Sequence, residues 1–221
     1  MRTDYWQKLE EGGIYHIYNR AVGKDDLFSN DGNYQFFLNQ WKKYLPYLDV
    51  FCYCLIPNHF HFLAKVKPLS EPLLEHIKSQ ATVKSSKFIK QEIPYHEYLE
   101  DQFKRLFGSY ALAYNKQHDR TGTLFQKRFK RILVGDDYKL LYLLAYIHHN
   151  PIHHKLYNAY GLWLHCSWNA YLNLDKQSLL DRSEVLRWFG TDLEAAKAAF
   201  FKHHENFKED WKMRDDCMED V

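Results

Sequence analysis

The sequence predicts an α+β fold with a mainly antiparallel sheet and helices packed against it. Two observations indicate this class. Segments rich in β-branched and aromatic residues are separated by segments of helical periodicity, and two predicted strands are joined by a tight turn. With 221 residues, 46% of them hydrophobic, the chain is long enough to bury a substantial core. We expect one domain over residues 1–174 and a C-terminal helical extension with an acidic tail over 175–221.

The first third of the chain contains three predicted strands. Residues 14–22, "IYHIYNRAV", are β-branched and aromatic and follow two glycines, which indicates the first strand. In "SNDGNYQFFLNQWKKYL" turn residues are followed by aromatic residues at helical spacing, which predicts a helix. Residues 49–56 and 59–66 are two more strands, and Pro57 and Asn58 between them predict a hairpin.

The middle of the chain is predominantly helical. The segment "EPLLEHIKSQATVKSSKFIKQ" and residues 97–117 each have helical periodicity, so each predicts one helix. "LFQKRFKRILV" alternates apolar and basic residues, as in a half-exposed strand. Asp136 opens a further helix, which we expect to end at Asn150 because a proline follows. Residues 152–174 are aromatic-rich without a clear assignment, and helical character returns after residue 175.

Charge is unevenly distributed along the chain, although the net charge is only +2. Residues 103–131 carry eight Lys or Arg and one acidic residue, whereas residues 205–221 carry seven acidic and three basic residues. This pattern indicates a body that binds a polyanion and a tail that could shield it; two solvated faces of opposite sign are the alternative. Aromatic residues make up 17% of the chain, which suits a large core and also suits stacking on unpaired bases.

The sequence indicates a cytoplasmic protein. No apolar run approaches the ~18 residues of a membrane span, and the N-terminus lacks an apolar signal core. Four cysteines do not suggest a disulfide framework in that compartment. Cys52 and Cys54 share a strand face, and we expect them to be small buried residues rather than metal ligands.

Two histidines stand out in "LIPNHFHFLAKV". Because side chains alternate along a strand, His59 and His61 project to one face while Phe60 and Phe62 project to the other, toward the core. Two adjacent imidazoles could share one cation. Two solvent-facing histidines would give the same pattern, so the pair alone does not decide.

The helix that begins at Asp136 carries further candidates. Four residues at helical spacing form an apolar stripe toward the core: Leu140, Leu143, Leu144 and Ile147. Tyr142, Tyr146 and Asn150 form a second stripe at its border, one turn apart. An asparagine amide oxygen is a suitable ligand for a hard cation. The alternative is that Asn150 only ends the helix before the proline and that Tyr146 is a border aromatic.

Several segments in the same order resemble one family. "YHIYNRAVGKDDLF", "PNHFHFL", "SYALAYNKQHDRTGTLFQKRFK", "YIHHNPIHHKL" and "HCSWNAYL" are similar to the HUH single-strand nucleases of tyrosine transposases, above all the REP-associated type and its insertion-sequence relatives. The resemblance runs from about residue 13 to residue 172. It implies a ferredoxin- or RRM-like HUH nuclease fold.

The resemblance also implies a reaction and a set of roles. The metal-binding histidine pair falls on His59 and His61, the nucleophile on Tyr146 and the third ligand on Asn150, where some relatives have glutamine. The implied activity is that of a single-stranded DNA endonuclease and strand transferase, a transposase acting near hairpin DNA. It would use Mg²⁺ or Mn²⁺ and form a 5′-phosphotyrosine. The implied partner is single-stranded or hairpin DNA, and a homodimer is open because relatives can place the tyrosine helix in the partner's site.

Other interpretations remain at this point. One is a domesticated nucleic-acid-binding protein that keeps the fold without catalysis, and another is a metal phosphodiesterase that uses water. Tyr142 is the alternative nucleophile and Tyr114 a more distant one. Four clustered histidines form either a solvated turn or a separate metal site: His148, His149, His153 and His154.

Basic residues with interleaved aromatics predict the DNA-binding surface. The predicted contacts are Arg120, Phe125, Lys127, Arg128, Phe129, Lys130 and Arg131, with the two phenylalanines stacking on a base or hairpin end. If the segment alternates as a strand, Phe125, Lys127, Phe129 and Arg131 share one face. Gln126, Arg128 and Lys130 then share the other, and only one of these faces can contact DNA.

Overall fold

The computed structural model describes residues 4–213, which form one four-stranded antiparallel sheet with helices on both faces. The strands are β1 (Ile14–Arg20), β2 (Leu48–Ile56), β3 (His59–Val66) and β4 (Lys130–Leu133), in the order β2-β3-β1-β4. The helices of the described range are α1 (Asp31–Tyr44), α2 (Glu71–Ser79), α3 (Val83–Ile89), α4 (Tyr95–Gln117), α5 (Asp137–His153), α6 (Arg182–Arg187) and α7 (Leu193–Met213), with a 3₁₀ helix at Ser167–Tyr171. The predicted α+β class is confirmed.

The two faces of the sheet have different partners. On one face, Phe60 and Phe62 of β3 are fully buried, and Trp41 of α1 stacks on Phe62 with ring centres 3.6 Å apart. On the other face lies α5, whose Leu144 and Ile147 are also fully buried. Both predicted apolar patterns are therefore confirmed, and α5 crosses the sheet on the side that carries the histidines of β3.

Strand register places polar side chains of two strands side by side. His61 of β3 is opposite Tyr18 of β1, and His59 is opposite Arg20. Because alternate residues share a face, His16 and Tyr18 of β1 lie on the same face as His61. The central pair of strands therefore presents a row of polar and aromatic groups to α5.

The continuous helix predicted over "EPLLEHIKSQATVKSSKFIKQ" is in fact two helices, α2 and α3. Ala81 between them has a left-handed backbone with φ of 48°, which ends α2. Thr82 then caps α3: its hydroxyl accepts from Ser85 N, and the Ser85 hydroxyl lies 2.8 Å from Thr82 N. Apolar periodicity does not reveal this break because it continues across both helices.

The strand predicted over residues 124–134 is much shorter than expected, since only Lys130–Leu133 forms β4. Arg128 has a φ of 60°, outside the extended region that a strand requires. Residues 121–129 instead run irregularly beside β1, with Gln126 N donating to Arg20 O at 2.9 Å. The prediction of an extended strand is wrong for this segment.

α5 continues past the position at which we expected it to end. Pro151 lies inside the helix, and His154 N donates to Asn150 O at 2.9 Å, so the ladder resumes beyond the proline. Asn150 and Pro151 are both buried, and this packing outweighs the local preference against helix before proline. As a result Asn150 stays one helical turn from Tyr146.

A buried hydrogen-bond chain joins α7 to α5. His204 Nδ1 donates to Phe200 O at 2.8 Å, which leaves His204 Nε2 as the acceptor for His148 Nδ1 at 2.9 Å. His148 Nε2 then accepts from the Ser167 hydroxyl at 2.8 Å. The segment predicted as a helical extension contains the helices α6 and α7, with non-helical stretches at residues 175–181 and 188–192. The buried hydrogen bond between His204 and His148 holds α7 against α5. The division of this extension into a separate unit stays a prediction, and tail residues 214–221 lie outside the described range.

None of the helices in residues 4–213 is long and apolar enough to span a membrane.

Candidate active site

Four predicted site residues meet on the α5 face of the sheet within one chain. The ring centres of His59 and His61 are 5.0 Å apart, and that of Tyr146 is 5.8 Å from His61. His59 Nε2 lies 3.3 Å from Asn150 Oδ1. β3 and α5 are separated by the 70 residues 67–136, and the packing of α5 on the sheet brings them together.

Asn58, in the hairpin turn, orients the His59 ring. His59 Nδ1 donates to Asn58 Oδ1 at 2.7 Å, so Nε2 carries the lone pair. That lone pair faces the Asn150 amide oxygen, and two acceptors at 3.3 Å repel each other. A cation between them would replace this repulsion with attraction, and the separation is near the ~3 Å expected between neighbouring ligands of an octahedral Mg²⁺.

His61 is held by a residue that the sequence analysis did not select. Its Nδ1 lies 2.9 Å from Nε2 of His16, and both rings are buried. If His61 donates this proton, its Nε2 bears a free lone pair. That Nε2 is buried and has no hydrogen-bond partner among the described residues. An orphaned buried acceptor beside His59 and Asn150 is what a missing cation would leave.

Both candidate ligands are neutral near pH 7. Burial lowers the pKa of His61 well below its ordinary value, with further contributions from His59 and His16. Burial and the neighbouring His154 lower the pKa of His59 to about 3. Neutral imidazoles are the metal-binding form, so protons compete little for these nitrogens above pH 5.

Tyr146 is almost fully enclosed. Its side chain is 8% exposed, with Tyr142 stacked at 6.2 Å and Trp211 of α7 at 5.9 Å between ring centres. Burial raises the pKa of Tyr146, and the Asn150 side chain partly offsets that shift. The phenol is therefore protonated at neutral pH and needs a local positive charge to act as a nucleophile.

A basic cavity of about 470 Å³ opens onto these groups. Its lining includes His59, His61 and Tyr146, and its basic residues are Arg20, Lys127, Arg128 and Lys130. No acidic residue lines it among those that the structure describes. The cavity therefore has the charge that suits a phosphodiester.

The donor set fits a divalent cation. Two neutral imidazole nitrogens and one amide oxygen would leave further positions for water and phosphate oxygen. Within residues 4–213 there is no group of three or more His, Cys, Asp or Glu arranged to hold a metal. The candidate ligand set of His59, His61 and Asn150 is of a different kind, because it includes an amide oxygen.

The chain is similar to two proteins described as REP-associated tyrosine transposases. The chain is 22% identical over 171 residues to the "Putative REP-associated tyrosine transposase" of Haemophilus influenzae, covering 76% of this chain and 86% of that protein. It also matches a solved structure described as that of "the REP associates tyrosine transposase bound to a REP hairpin", with a TM-score of 0.52 and 11% identity over 87% of this chain and 93% of the other. No family model matches the chain.

The predicted resemblance to the REP-associated tyrosine transposases is confirmed. The curated relative carries that description, and the solved structure shows the same fold. These two similarities do not assign functional roles to individual residues of this chain.

The stacking role predicted for Phe125 and Phe129 does not fit their burial. They are 7% and 8% exposed, and their rings pack on Phe107 and Phe103 of α4 at 4.9 Å and 4.4 Å between ring centres. Both rings belong to the core on the α4 side of the sheet. Because aromatic residues make up 17% of the sequence, their alternation with basic residues did not show which rings are buried in the core and which are exposed.

Two of the predicted basic contacts are engaged within the protein. Arg131 is buried and pairs with Glu100 of α4, while its Nε donates to Gln7 O at 2.5 Å. Arg120 pairs with Asp25 and donates to Asn115 Oδ1 at 2.7 Å. We therefore assign both guanidinium groups a structural role instead of the predicted DNA contact.

The remaining predicted basic residues, Lys127, Arg128 and Lys130, line the basic cavity. Lys130 Nζ lies over the rings of Tyr5 and Tyr18, at 4.8 Å and 5.2 Å from their centres. Of the two alternative faces, the one with Gln126, Arg128 and Lys130 is open to the site. Lys127 also reaches the cavity because the segment is irregular and does not alternate as a strand.

The four clustered histidines are not a solvated turn. His148 and His149 are each 2% exposed, and His148 takes part in the chain that binds α7. His153 and His154 line the basic cavity instead, and the His154 ring is 4.8 Å from that of His59. The first pair is buried because α7 packs on this part of α5: His148 bonds to His204, and the His149 ring lies 5.4 Å from that of Phe207.

Sequence reasoning missed four residues of the site: Trp6, His16, Tyr18 and Asn58, the last of which it assigned only to the hairpin turn. His16 and Tyr18 alternate on β1 within "YHIYNR", so the period of two that selected His59 and His61 could have found them. Trp6 gives no such signal, since its position depends on an isolated pairing with Arg131.

Replacing Tyr18 with phenylalanine should stabilise the folded protein. The Tyr18 side chain is 5% exposed, and its hydroxyl has no hydrogen-bond partner among residues 4–213. Removing an unsatisfied buried hydroxyl should raise the free energy of unfolding by about 1 kcal/mol. Chemical denaturation followed by circular dichroism measures this change.

Tyr15 supplies the matched control on the same strand. Its hydroxyl donates to Lys8 O at 2.6 Å and accepts from Glu10 N at 2.8 Å, so Tyr15→Phe should destabilise by about 1–3 kcal/mol. Equal losses for the two variants would show that the Tyr18 hydroxyl has a partner in solution.

Acid should destabilise the fold from about pH 6.5 downward. Burial lowers the pKa of His16 and His204 to about 3 and that of His149 to about 4. In the unfolded chain a histidine has a pKa near ~6.5, so below that pH the unfolded state binds protons that the folded state does not. Each such group lowers the free energy of unfolding by up to about 1.4 kcal/mol per pH unit.

Denaturant titrations at pH 7.5, 6.5, 5.5 and 4.5 measure this dependence. His204→Phe removes one of these groups, so the variant should lose less stability per pH unit below 6.5 than the wild type, whatever its stability at pH 7.5. A wild-type free energy of unfolding that is the same at pH 7.5 and 4.5 would contradict the burial of neutral histidines.

Proposed function

We propose that this chain is a metal-dependent single-stranded DNA endonuclease and strand transferase, a transposase that acts near hairpin DNA. The observation that carries the proposal is the meeting of His59, His61 and Tyr146 at one basic cavity, with the buried Asn150 amide oxygen 3.3 Å from His59 Nε2. A histidine pair with a tyrosine is unusual as packing, because His61 retains an unpartnered buried nitrogen. The descriptions of the relatives support the same reaction class.

Tyr146 is the proposed nucleophile. Its oxygen forms a bond to phosphorus as the bond from phosphorus to the 3′ oxygen breaks, giving a 5′-phosphotyrosine and a free 3′-hydroxyl. The phenol loses one proton and the 3′ oxygen gains one, so the step is balanced. Because one phosphodiester is exchanged for another, rejoining by the reverse step requires no nucleotide cofactor.

His59, His61 and Asn150 would hold Mg²⁺ or Mn²⁺. When bound, the cation supplies Lewis-acid polarisation of the scissile phosphate. Asn58 and His16 keep the imidazoles in orientation through their hydrogen bonds to His59 and His61. Lys130 and Arg20 add positive charge where the phosphate would enter.

The described geometry supports action in cis. Tyr146 and the histidine pair belong to one chain and line one cavity, so the proposed step does not need a tyrosine from a second copy. Mixing Tyr146→Phe with His61→Ala tests this point. A mixture that regains activity when neither variant is active alone would show that a homodimer exchanges its tyrosine helices.

Incubation of the protein with labelled hairpin oligonucleotides that carry single-stranded flanks tests the proposed function. With Mg²⁺ or Mn²⁺ we expect cleavage and a protein–DNA adduct that survives denaturing electrophoresis, and EDTA should abolish both. Binding without adduct across a randomised flank library would favour a nucleic-acid-binding protein that keeps the fold without catalysis.

A further inference from the structure

The basic cavity borders a second and larger one. A cavity of about 820 Å³ lies beside α4, and both cavities share one wall. The residues that line both are Trp6, Asn19, Gln126, Lys127 and Arg128. A chain held at Tyr146 could therefore pass over this shared wall into the larger cavity without leaving the protein surface.

Trp6 lies on the shared wall and is partly exposed. Its side chain is 44% exposed, which is unusual for tryptophan in a monomer-sized domain. The segment that carries it is nevertheless fixed along β4: Arg131 N donates to Tyr5 O at 2.8 Å, and Trp6 pairs in parallel with Arg131. Leu9 then anchors the segment in the core with 1% exposure. The backbone that carries the ring is thus held in place, while the ring itself is not part of the core.

A basic side chain lies next to this exposed ring. The Arg128 guanidinium lies over the Trp6 ring, 6.0 Å from its centre. Arg128 adopts a left-handed backbone with φ of 60°, a conformation that is costly for a residue other than glycine. The larger cavity also receives Lys104 and Lys127, while its one acid, Glu100, is paired with Arg131. Aromatic surface and positive charge therefore coincide on the shared wall.

We propose that Trp6 is a stacking platform for an unpaired nucleobase of the strand that leaves the cleavage site. Single-stranded nucleic acid is the ligand that combines a polyanionic backbone with exposed π faces, and proteins bind it with aromatic platforms in basic grooves. Inside a duplex the bases are stacked on one another, so an interior base can reach the ring only when it is flipped or single-stranded. The location beside the scissile phosphate rests on the proposed function, whereas the stacking itself does not.

Fluorescence of 2-aminopurine tests this proposal. The probes are a blunt DNA hairpin and the same hairpin with a ten-thymidine tail at its 5′ or 3′ end, with 2-aminopurine at successive tail positions. Thymidine suffices because base stacking on aromatics tolerates sequence. We expect the wild type to bind a tailed hairpin more tightly than the blunt one and to change the emission at one or two tail positions.

Trp6→Ala should weaken binding of the tailed hairpin by about 5- to 100-fold and remove the emission change, while leaving the blunt hairpin unaffected. Trp6→Phe should keep most of the affinity because it retains an aromatic ring. The loss in Trp6→Ala should be the same factor at every salt concentration, whereas Arg128→Ala should reduce the salt dependence. Leu164→Ala removes a side chain that is 76% exposed and serves as the surface control.

The outcomes separate this proposal from the proposed function. Equal affinities of Trp6→Ala and wild type for the tailed hairpin overturn the stacking role even if the Tyr146 adduct forms. A Trp6-dependent affinity with no adduct on any substrate supports the stacking role and rejects the nuclease. Equal binding of blunt and tailed hairpins by the wild type also overturns the platform. Thermal melting of Trp6→Ala within a few degrees of the wild type confirms that lost binding is not lost folding.

Discussion

Replacing Tyr146 with phenylalanine should abolish both DNA cleavage and the covalent adduct while leaving hairpin binding intact. The change removes one oxygen from a side chain that is 8% exposed and keeps its contacts with Tyr142 and Trp211. Loss of a covalent nucleophile lowers turnover by at least about 10³-fold, because no other group occupies its position. Single-turnover cleavage of a labelled hairpin and denaturing electrophoresis of the adduct are the two measurements.

Tyr142→Phe is the matched control. Tyr142 lies one turn earlier on the same helix, with its ring parallel to that of Tyr146 and 5.3 Å from Phe207. The same atom is removed, so a general effect on α5 would appear in both variants. We expect cleavage by Tyr142→Phe within about threefold of the wild type, as for a substitution that spares the reacting groups.

The two variants together decide between three mechanisms. An adduct in Tyr146→Phe but not in Tyr142→Phe would move the nucleophile to Tyr142. Cleavage by Tyr146→Phe without any adduct would show that water is the nucleophile, as in a metal phosphodiesterase. Equal activity in both variants with the adduct retained would place the nucleophile elsewhere, with Tyr114 the next candidate.

Local pattern was sufficient where one face of an element decides the outcome. The alternation in "HFHFL" placed Phe60 and Phe62 in the core, and both are fully buried against α1. Helical spacing similarly gave the buried stripe of α5. In each case one side of the element is buried, so the positions of the apolar residues along the sequence show which side faces the core.

Pattern failed where a tertiary contact overrides a local preference. Pro151 predicts the end of a helix, but the burial of Asn150 and Pro151 carries α5 onward to His153. The alternation around Phe129 predicts a strand. In the structure the Phe129 ring packs on Phe103 instead, and the backbone at Arg128 leaves the extended region. Neither competing interaction is local in sequence, so a window of a few residues does not contain it.

Alternation on β1 could have selected His16 as a candidate, but it does not show which residue His16 contacts. His16 contacts His61 because β1 pairs with β3, and the two residues are 45 positions apart. The sequence contains 13 histidines, and strand order and register decide which of them meet. Trp6 depends in the same way on where residues 5–7 lie against β4. The residues that position a site are thus harder to predict than the ligands, whose spacing repeats within one strand.

Replacing His61 with alanine should weaken Mn²⁺ binding by at least about 100-fold in the absence of DNA. Loss of residues that only orient a ligand typically costs 10–100-fold in metal affinity, and loss of the ligand itself should cost more. Titration of Mn²⁺ followed by electron paramagnetic resonance measures free ion directly and requires no catalysis. His118→Ala is the control, since this histidine is exposed and bonds to Ser29 far from the cavity.

His16→Ala gives the graded comparison that separates ligand from support. It leaves His59, His61 and Asn150 in place but removes the partner 2.9 Å from His61 Nδ1, so Mn²⁺ affinity should fall by about 10- to 100-fold, less than in His61→Ala. Because the pKa of His59 is lowered to about 3, wild-type affinity should change little between pH 7.5 and 6, where a solvent-exposed histidine site would lose ligands to protons. Unchanged Mn²⁺ affinity in His61→Ala would falsify the metal site. The unpartnered His61 Nε2 of the wild type would then only destabilise the fold. A full loss in His16→Ala with retained binding in His61→Ala would instead place the cation on the β1 side of the pair.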